Sequence, residues 1–302
     1  MTVVVLAGGT GGAKLARGML DLVGEELVVV ANTADDVELY GAHVSPDPDL
    51  VAFWLADRID ARGWGLAGDT FHAMDRLRAR GEEVWFNLGD EDLEIGRDRA
   101  RRLAAGQRLT EALDALRDTL KVPARILPMS DDPVRTWVDG TPFQEWMIRT
   151  GGRAGATAVR RVELRGAQAA GPPPEVLDAL AAARAIVIGP SNPVISIGPI
   201  LAVPGVREAL RAAPAPVVAV SPIVGGEVLK GPTAVFMRAM GVSPDAAGVA
   251  RLYDGVIDGL VADERASGVP TLETAVRMDT AEDRRRVARE TLAFAFALAA
   301  SR

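Results

Sequence analysis

A glycine-rich junction near the N-terminus constrains the fold of this chain more than any other feature of its sequence. Residues 3–6 (VVVL) form an apolar, β-branched run typical of a strand buried on both faces of a parallel sheet. GGTGG follows at residues 8–12, and residues 13–22 have the apolar spacing of a helix. A second apolar run at residues 27–31 completes a βαβ unit, for which parallel strands and a right-handed crossover are expected.

Short apolar runs return in the second half of the chain. Residues 185–188, 217–220 and 256–261 are predicted strands separated by helix-like segments, and residues 156–164 alternate as an edge strand would. Before the last apolar helical stretch, Thr280 and Asp283 have the spacing of a helix cap. The whole pattern predicts an α/β fold, with a Rossmann-like, mostly parallel sheet flanked by helices.

The middle of the chain differs from its two ends. Residues 51–150 are helical in composition and have few long apolar runs. We therefore expect a mainly helical insertion there, and a Rossmann-like nucleotide-binding core formed by residues 1–50 and 151–302.

Composition excludes several classes of function. The 302 residues carry a formal charge of −7, which argues against broad binding to nucleic acid or to an anionic membrane. There is no cysteine, so thiolate nucleophiles, Cys-type zinc sites and iron–sulfur clusters are excluded, and His43 and His72 are the only histidines. With no signal-peptide pattern and no uninterrupted apolar run of about 18 residues, we expect a cytoplasmic location and no membrane span.

The glycine segment predicts a phosphate site. Backbone N–H groups without side chains can approach an anion closely, and a helix N-terminus adds partial positive charge. The segment is not a Walker A loop, because Lys14 lies between Ala13 and Leu15 with no hydroxyl residue after it. Lys14 also replaces the third glycine of the dinucleotide fingerprint. A tight turn without a ligand remains the alternative.

Four carboxylates follow the second predicted strand, within NTADDVELYGAHVSPDPDL. They are Asp35, Asp36, Asp47 and Asp49. This is the strand end at which open α/β sheets bind ligands, and Mg²⁺ typically takes one or two carboxylates together with substrate phosphates and waters. The alternative is an Asp-capped turn and a solvated loop.

Two further loops, at residues 189–200 and 221–232, follow predicted strands and are rich in glycine, proline and small polar residues. We expect both to lie at the same sheet edge as the glycine segment. Ser191, Asn192 and Ser196 are then candidates for bonds to phosphate or to a base, and Lys230 for charge neutralisation. Purely structural proline-rich turns remain the alternative.

Taken in order, these segments resemble the 2-phospho-L-lactate transferase family of coenzyme F-420 biosynthesis. The resemblance covers nearly the whole chain and is carried by GGTGGAKL, NTADD, SPDPDL, DTFHAM, LGDED, ILPMSDDPV, FQEW, GPSNPVISIGPIL and SPIVGG. It implies Mg²⁺-dependent transfer of a phospholactyl or phosphoenolpyruvyl group from a guanosine-diphosphate-linked donor. The implied acceptor is the ribityl hydroxyl of 7,8-didemethyl-8-hydroxy-5-deazariboflavin, GMP is released, and the implied assembly is a homodimer.

The resemblance also implies roles for particular residues. The donor side would comprise Gly8, Gly9, Thr10, Gly11 and Gly12 around the diphosphate, Lys14 near its charge, and Ser191 with Asn192 near the guanosine. Asp36 and Asp49 would bind Mg²⁺, one of them also serving as general base, with Asp35 as an alternative ligand. Asn87 and Asp90 would belong to the binding site on the insertion, which would contribute to the acceptor pocket.

The chain departs from the family pattern at LGDEDLEIG. Glu91 stands where relatives usually have arginine, Ile95 and Gly96 replace a Thr-His pair, and Asn87 stands where some relatives have lysine. Arg97 or Arg99 on the following helix would have to supply the lost positive charge. These departures leave open a transferase with another acceptor. Separately, the glycine segment and acid pair are similar to those of a nucleotide or nucleotide-sugar sensor group, which is the other alternative.

Overall fold

The computed structural model describes residues 2–151, 159–228 and 231–301. The strands are β1 (Thr2–Ala7), β2 (Leu27–Ala31), β3 (Val37–Leu39), β4 (Ala42–Val44), β5 (Arg125–Pro128), β6 (Arg135–Val138), β7 (Thr141–Pro142), β8 (Val162–Arg165), β9 (Ala183–Ile188), β10 (Val217–Val220), β11 (Ile223–Val224), β12 (Glu227–Val228), β13 (Gly259–Ala262) and β14 (Thr271–Glu273). The helices are α1 (Gly9–Val23), α2 (Pro46–Leu55), α3 (His72–Ala79), α4 (Asp90–Ala104), α5 (Leu109–Leu120), α6 (Phe143–Arg149), α7 (Pro174–Ala181), α8 (Ile197–Ala202), α9 (Val206–Ala212), α10 (Thr233–Ala239), α11 (Ala246–Leu252) and α12 (Ala281–Ala300).

A seven-stranded parallel sheet forms the centre of the fold, in the order β14-β13-β10-β9-β1-β2-β5. The strands of its middle are almost fully buried, since α1, α2, α5 and α12 pack on one face and α7 to α11 on the other. Apolar strands covered on both sides are what a parallel sheet requires. The predicted α/β fold with a mostly parallel sheet is confirmed.

Helix α1 begins at Gly9, four residues earlier than its apolar spacing predicts. Gly8 is the N-cap with an extended backbone, and the rest of the glycine segment forms the first turn of the helix instead of a loop. Periodicity misses this turn because glycine has no apolar side chain to mark the buried face.

The predicted insertion is interrupted by a strand of the central sheet. Strand β5 lies within residues 51–150 and pairs with β2. The segment predicted as an insertion therefore contains one strand of the central sheet. The apolar run of β5 is short, which is why composition hides it. Helices α2 and α5 share the hydrophobic core of the sheet. The insertion is therefore packed onto the core along part of its length.

Two other strand predictions need adjustment. Strand β13 begins at Gly259, three residues after the predicted start. Of the predicted edge strand at residues 156–164, residues 156–158 lie outside the described residues and residues 159–161 are not in a strand. Strand β8 begins at Val162 and is an edge of the small sheet β7-β6-β8. The predicted cap of the last helix is confirmed, because Thr280 and Asp283 form a reciprocal capping box. Within the described ranges, no helix is both long and apolar enough to cross a membrane.

Candidate functional site

A cavity of about 880 Å³ opens at the carboxyl edge of the central sheet. Segments that follow β1, β2, β9, β10 and β14 all contribute to its wall. This is the edge at which the sequence predicts that the glycine segment, the aspartates and the two polar loops meet. The geometry therefore agrees with the predicted position of a ligand site.

Most of the predicted site residues line this cavity. They are Gly8, Gly9, Thr10, Gly11, Lys14, Asp49, Asn87, Ser191 and Asn192, and Asp35 and Ser196 lie with them. Gly12, Asp36 and Asp90 are not among the lining residues. Lys230 lies outside the described residues.

Two backbone amides at the start of α1 already have partners within the chain. Gly8 N–H donates to Ser191 Oγ at 3.1 Å, and Gly9 N–H donates to Asp47 Oδ1 at 2.7 Å. The predicted cradle of bare amides is therefore partly filled by the protein's own side chains. Thr10 and Gly11 remain on the cavity wall, next to Lys14.

The glycines of this segment are also required by packing. A Cβ on Gly11 would lie 2.0 Å from the carbonyl oxygen of Pro190, and one on Gly12 would lie 2.5 Å from Ser191 Oγ. Gly9 has no such neighbour within 4 Å, but its φ of +61° is a conformation that favours glycine. Helix α1 thus packs closely on the loop after β9, which explains much of the glycine content without a ligand.

Asp47, the third carboxylate of the acidic segment, connects α2 to α1 and to the residue that follows β2. Its Oδ1 accepts from Gly9 N–H, and its Oδ2 accepts from Asn32 Nδ2 at 2.9 Å. Burial raises the pKa of Asp47 to about 6, and these two hydrogen bonds limit the rise. A buried carboxylate thus occupies the position that an anion would take at this helix N-terminus.

Asp36 is fixed by the hairpin β3–β4 and the residue after it. Its Oδ2 contacts His43 Nε2 at 2.9 Å and accepts from Ser45 Oγ–H at 2.8 Å. Its Oδ1 and the Oδ1 of Asp35 are buried without a hydrogen-bond partner among the described residues. Burial, reinforced by the charges of Asp47 and Asp36, raises the pKa of Asp35 well above its ordinary value.

Asp49 is held in a buried ion pair. Both of its carboxylate oxygens accept from the guanidinium of Arg99 on α4, and the two side chains are almost fully buried. Burial raises the pKa of Asp49, and Arg99 opposes that rise. From the sequence, Arg99 is predicted only as a source of positive charge for the substrate. In the structure it pairs instead with Asp49, a predicted metal ligand.

The acidic cluster fits a divalent cation only in part. In the described portion of the chain, no group of three or more His, Cys, Asp or Glu side chains is arranged to hold a metal ion alone. Mg²⁺ needs fewer, since phosphates and waters supply the other ligands. The unpartnered Oδ1 of Asp36 fits such an ion, and so does that of Asp35. Asp49 as positioned does not, because Arg99 occupies both of its oxygens.

Asp90 has a structural task in this fold. Its carboxylate accepts from Thr70 Oγ1–H and from the backbone N–H groups of His72 and Ala73, at 2.6, 3.0 and 2.8 Å. It therefore stabilises the start of α3 and does not face the cavity. This geometry argues against the predicted binding role of Asp90.

The two departures at Asn87 and Glu91 have different surroundings. Asn87 lines the cavity and accepts from Arg78 Nη2 at 2.5 Å. Glu91 forms a two-bond ion pair with Arg58, in which both side chains are more than 40% exposed. Glu91 is not among the cavity-lining residues. Glu91 is therefore paired with Arg58 and places no charge on the cavity wall.

Asn192 lines the cavity and has a buried donor without a hydrogen-bond partner in the described part of the chain. Its Oδ1 accepts from the N–H groups of Val194 and Ile195, at 2.9 and 3.3 Å, which fixes the orientation of the amide. Its Nδ2 is buried and has no hydrogen-bond partner among the described residues. Because an unpaired buried donor is costly, a ligand acceptor at this point would remove a penalty.

Aromatic side chains on the insertion side of the cavity were missed in the sequence. Trp64, Phe71, Trp85 and Phe86 line the wall, and Trp64 is 52% exposed. The guanidinium of Arg62 lies 4.3 Å from the ring centroid of Trp64. Exposed aromatic rings at a cavity are suited to a flat ligand. The sequence signal for this wall is GWG at residues 63–65, where a tryptophan stands between two glycines. In the structure both glycines have positive φ.

Comparisons with known proteins agree with the fold and extend over the site. A family model described as 2-phospho-L-lactate transferase CofD matches residues 3–294. The chain is 41% identical to a phosphoenolpyruvate transferase from Kitasatospora aureofaciens, over 98% of each chain. It is 40% identical to a 2-phospho-L-lactate transferase from Methanosarcina mazei, over 87% of each chain. A crystal structure of a UPF0052 family protein from Bacillus halodurans shares the fold, with a TM-score of 0.61, 18% identity, and coverage of 97% of this chain and 100% of that one.

Proposed function

Because this chain belongs to the 2-phospho-L-lactate transferase CofD family and is a transferase, we propose that it completes the phosphodiester-forming step of F-420 biosynthesis. The donor is guanosine diphosphate whose terminal phosphate carries a lactyl or enolpyruvyl group, so the group transferred is phospholactyl or phosphoenolpyruvyl. The acceptor is the ribityl hydroxyl of 7,8-didemethyl-8-hydroxy-5-deazariboflavin. The hydroxyl oxygen forms a bond to the phosphorus that bears the three-carbon acid, and the bond from that phosphorus to GMP breaks.

One observation carries the proposal: a single cavity is lined both by Asn192, whose buried Nδ2 donor has no hydrogen-bond partner among the described residues, and by the buried carboxylates Asp35, Asp47 and Asp49. In our proposal Asn192 and Ser191 bind the nucleotide end of the donor. Thr10, Gly11 and Lys14 face its diphosphate. Such transfers depend mainly on positioning and on neutralising charge, which these groups supply.

We further propose a division of roles among the aspartates. Asp36 would hold Mg²⁺ together with phosphate oxygens of the donor, and the ion would supply positive charge that neutralises the donor. Asp35 lines the cavity and has a raised pKa, so it is suited to accept the proton of the acceptor hydroxyl. His43 and Ser45 orient the carboxylate of Asp36 from the hairpin β3–β4.

The acceptor ring belongs, in our proposal, against Trp64, Phe71 and the aromatic pair Trp85–Phe86. A planar ring system gains from offset stacking on such side chains. The aromatic wall lies on the insertion, which accords with the predicted contribution of residues 51–150 to the acceptor pocket.

The decisive test is turnover with defined substrates. Purified protein, the deazaflavin alcohol and Mg²⁺ are mixed with each guanosine-linked donor, carrying lactyl or enolpyruvyl groups, and GMP and the phosphodiester are measured by mass. We expect stoichiometric formation of both products with at least one donor. Asp35→Asn should abolish turnover and leave guanosine diphosphate binding largely intact.

Two outcomes contradict the proposal. Tight nucleotide binding without turnover on either donor would favour the sensor, and normal turnover by Asp35→Asn would remove Asp35 from the reaction. Asp75→Asn is the matched control, since Asp75 is exposed and paired with Arg78 on α3. This control should behave as the unaltered protein does.

A further inference from the structure

Arg99 is a charged residue that the fold hides completely. It is 2% exposed and is the only lysine or arginine among the fully buried side chains of the described residues. Both oxygens of Asp49 accept from its guanidinium, and its Nη1 also donates to the backbone carbonyl of His43 at 2.9 Å. A helix of the insertion thus places one permanent cation inside the acidic cluster.

Acidic side chains outnumber this cation. Asp36 and Asp92 lie close enough to Arg99 that, together with Asp49, their charges raise its pKa against the opposing effect of burial. Asp36 Oδ1 and Arg99 Nε are both buried without a hydrogen-bond partner among the described residues. The cluster is therefore incompletely bonded: Arg99 Nε lacks an acceptor, and the Oδ1 of Asp36 is the atom that a further cation would satisfy.

We propose that Arg99 is a resident counter-ion that competes with a divalent metal ion for Asp49. Its guanidinium takes both oxygens of Asp49. When the metal binds at Asp36, Asp49 is shared with it or released to it. Arg99 is a positioning residue here, and the inference depends on the proposed function only in assuming that a divalent cation binds at Asp36.

Arginine suits this task better than lysine does. Its planar guanidinium matches a carboxylate with two parallel hydrogen bonds, and it stays charged in any protein environment. It therefore stabilises a buried carboxylate for as long as no metal is present. Its removal leaves Asp49 with an uncompensated buried charge, which a bound divalent ion would then relieve.

The experiment measures Mn²⁺ binding and thermal unfolding of the full chain without nucleotide. Arg99→Met replaces the buried cation with an unbranched apolar side chain and so removes the charge. We expect it to unfold at a lower temperature without metal, to bind Mn²⁺ about fivefold or more tightly by electron paramagnetic resonance, and to gain more thermal stability from Mn²⁺ than the unaltered protein. Arg99→Lys keeps the charge but loses the two parallel N–H donors of the guanidinium. Its Mn²⁺ affinity and unfolding temperature should lie between those of Arg99→Met and the unaltered protein.

Two further variants complete the comparison. Asp49→Asn should weaken Mn²⁺ binding, and in the double variant with Arg99→Met the gain in Mn²⁺ affinity should disappear. Arg58→Gln is the matched control, because its two-bond pair with Glu91 is solvent-exposed. It should change neither Mn²⁺ affinity nor the metal dependence of unfolding.

The inference is overturned if folded Arg99→Met, or folded Arg99→Lys where the first does not fold, binds Mn²⁺ no more tightly than the unaltered protein. Its failure is distinct from failure of the proposed function. If the unaltered protein turns over its substrates but the Arg99 variants bind Mn²⁺ as it does, only the inference is refuted. A protein with the expected competition for Mn²⁺ and no turnover refutes only the function.

Discussion

The carboxylate of Asp47 accepts a hydrogen bond from the backbone N–H of Gly9 at 2.7 Å, so a side chain of α2 occupies the positive end of α1. A helix N-terminus favours a negative charge because its first N–H groups lack partners within the helix. The protein supplies that charge itself. A diphosphate bound at Thr10 and Gly11 would lie beside Asp47 and experience its repulsion.

Replacing Asp47 should therefore favour anion binding. We expect Asp47→Ala to bind guanosine diphosphate about fivefold more tightly in the absence of divalent metal, because one like charge is lost and the Gly9 amide is freed. Titration calorimetry measures the affinity, with Asp75→Ala on exposed α3 as control. Weaker binding by Asp47→Ala would mean that Asp47 supports the nucleotide.

The glycines of α1 should be intolerant of a methyl group even without a ligand. Gly11→Ala would bring a Cβ to 2.0 Å from the Pro190 carbonyl oxygen, a rigid backbone atom. We expect a loss of about 3 kcal/mol or more in the free energy of unfolding, measured with urea. Gly9→Ala meets no neighbour, and should lose only about 1 kcal/mol from its positive φ. Equal losses for the two variants would contradict the packing explanation.

Asn192→Asp tests whether the Nδ2 donor of Asn192 faces the nucleotide. The aspartate keeps an Oδ1 that accepts from Val194 and Ile195, but it loses the donor and places a carboxylate oxygen at a buried position. We expect binding of guanosine diphosphate to weaken about tenfold or more, and the thermal unfolding temperature to fall because the new charge is buried. Unchanged affinity in calorimetry would show that Asn192 Nδ2 does not face the nucleotide.

The raised pKa of Asp92 should make the free energy of unfolding depend on pH. Its partial burial, with the charge of Asp49 nearby, raises its pKa in the folded chain to about 7. The folded chain therefore holds a proton that the unfolded chain releases near its ordinary pKa of about 3.9, so stability falls as the pH rises from about 4 to 7. We expect Asp92→Asn to be more stable than the unaltered, metal-free protein by about 1–2 kcal/mol at pH 8. The difference should shrink toward pH 5.

Asp98 on the same helix is the matched control for this pH effect. Its hydrogen bond with Arg102 lowers the pKa of Asp98. Stability from this pair is present above the ordinary pKa and lost only in stronger acid, so Asp98→Asn should give no gain at pH 8. Urea unfolding at pH 5 and 8 checks both variants. A gain for Asp98→Asn would show that the effect comes from net charge and not from Asp92 itself.

Local patterns predicted strands better than they predicted the elements between them. Strands β2 and β10 lie where their apolar runs place them, because continuous β-branched residues suit only a doubly covered strand. The first turn of α1 was missed since glycine carries no periodic signal. Strand β5 was missed because its run is short and lies among helical segments.

The candidate site also has features that the sequence predicts and features that only the packing of the chain decides. By itself, the sequence determined that the glycine segment, the acidic loop and the Ser191–Asn192 loop meet at one edge, because buried parallel strands bring their carboxyl ends together. Only the tertiary structure decided which charges are already satisfied. Asp49 pairs with Arg99 from 50 positions away, and Asp47 reaches Gly9 across 38. Such contacts depend on how α1, α2 and α4 pack, and the burial that this packing imposes sets the pKa of each carboxylate.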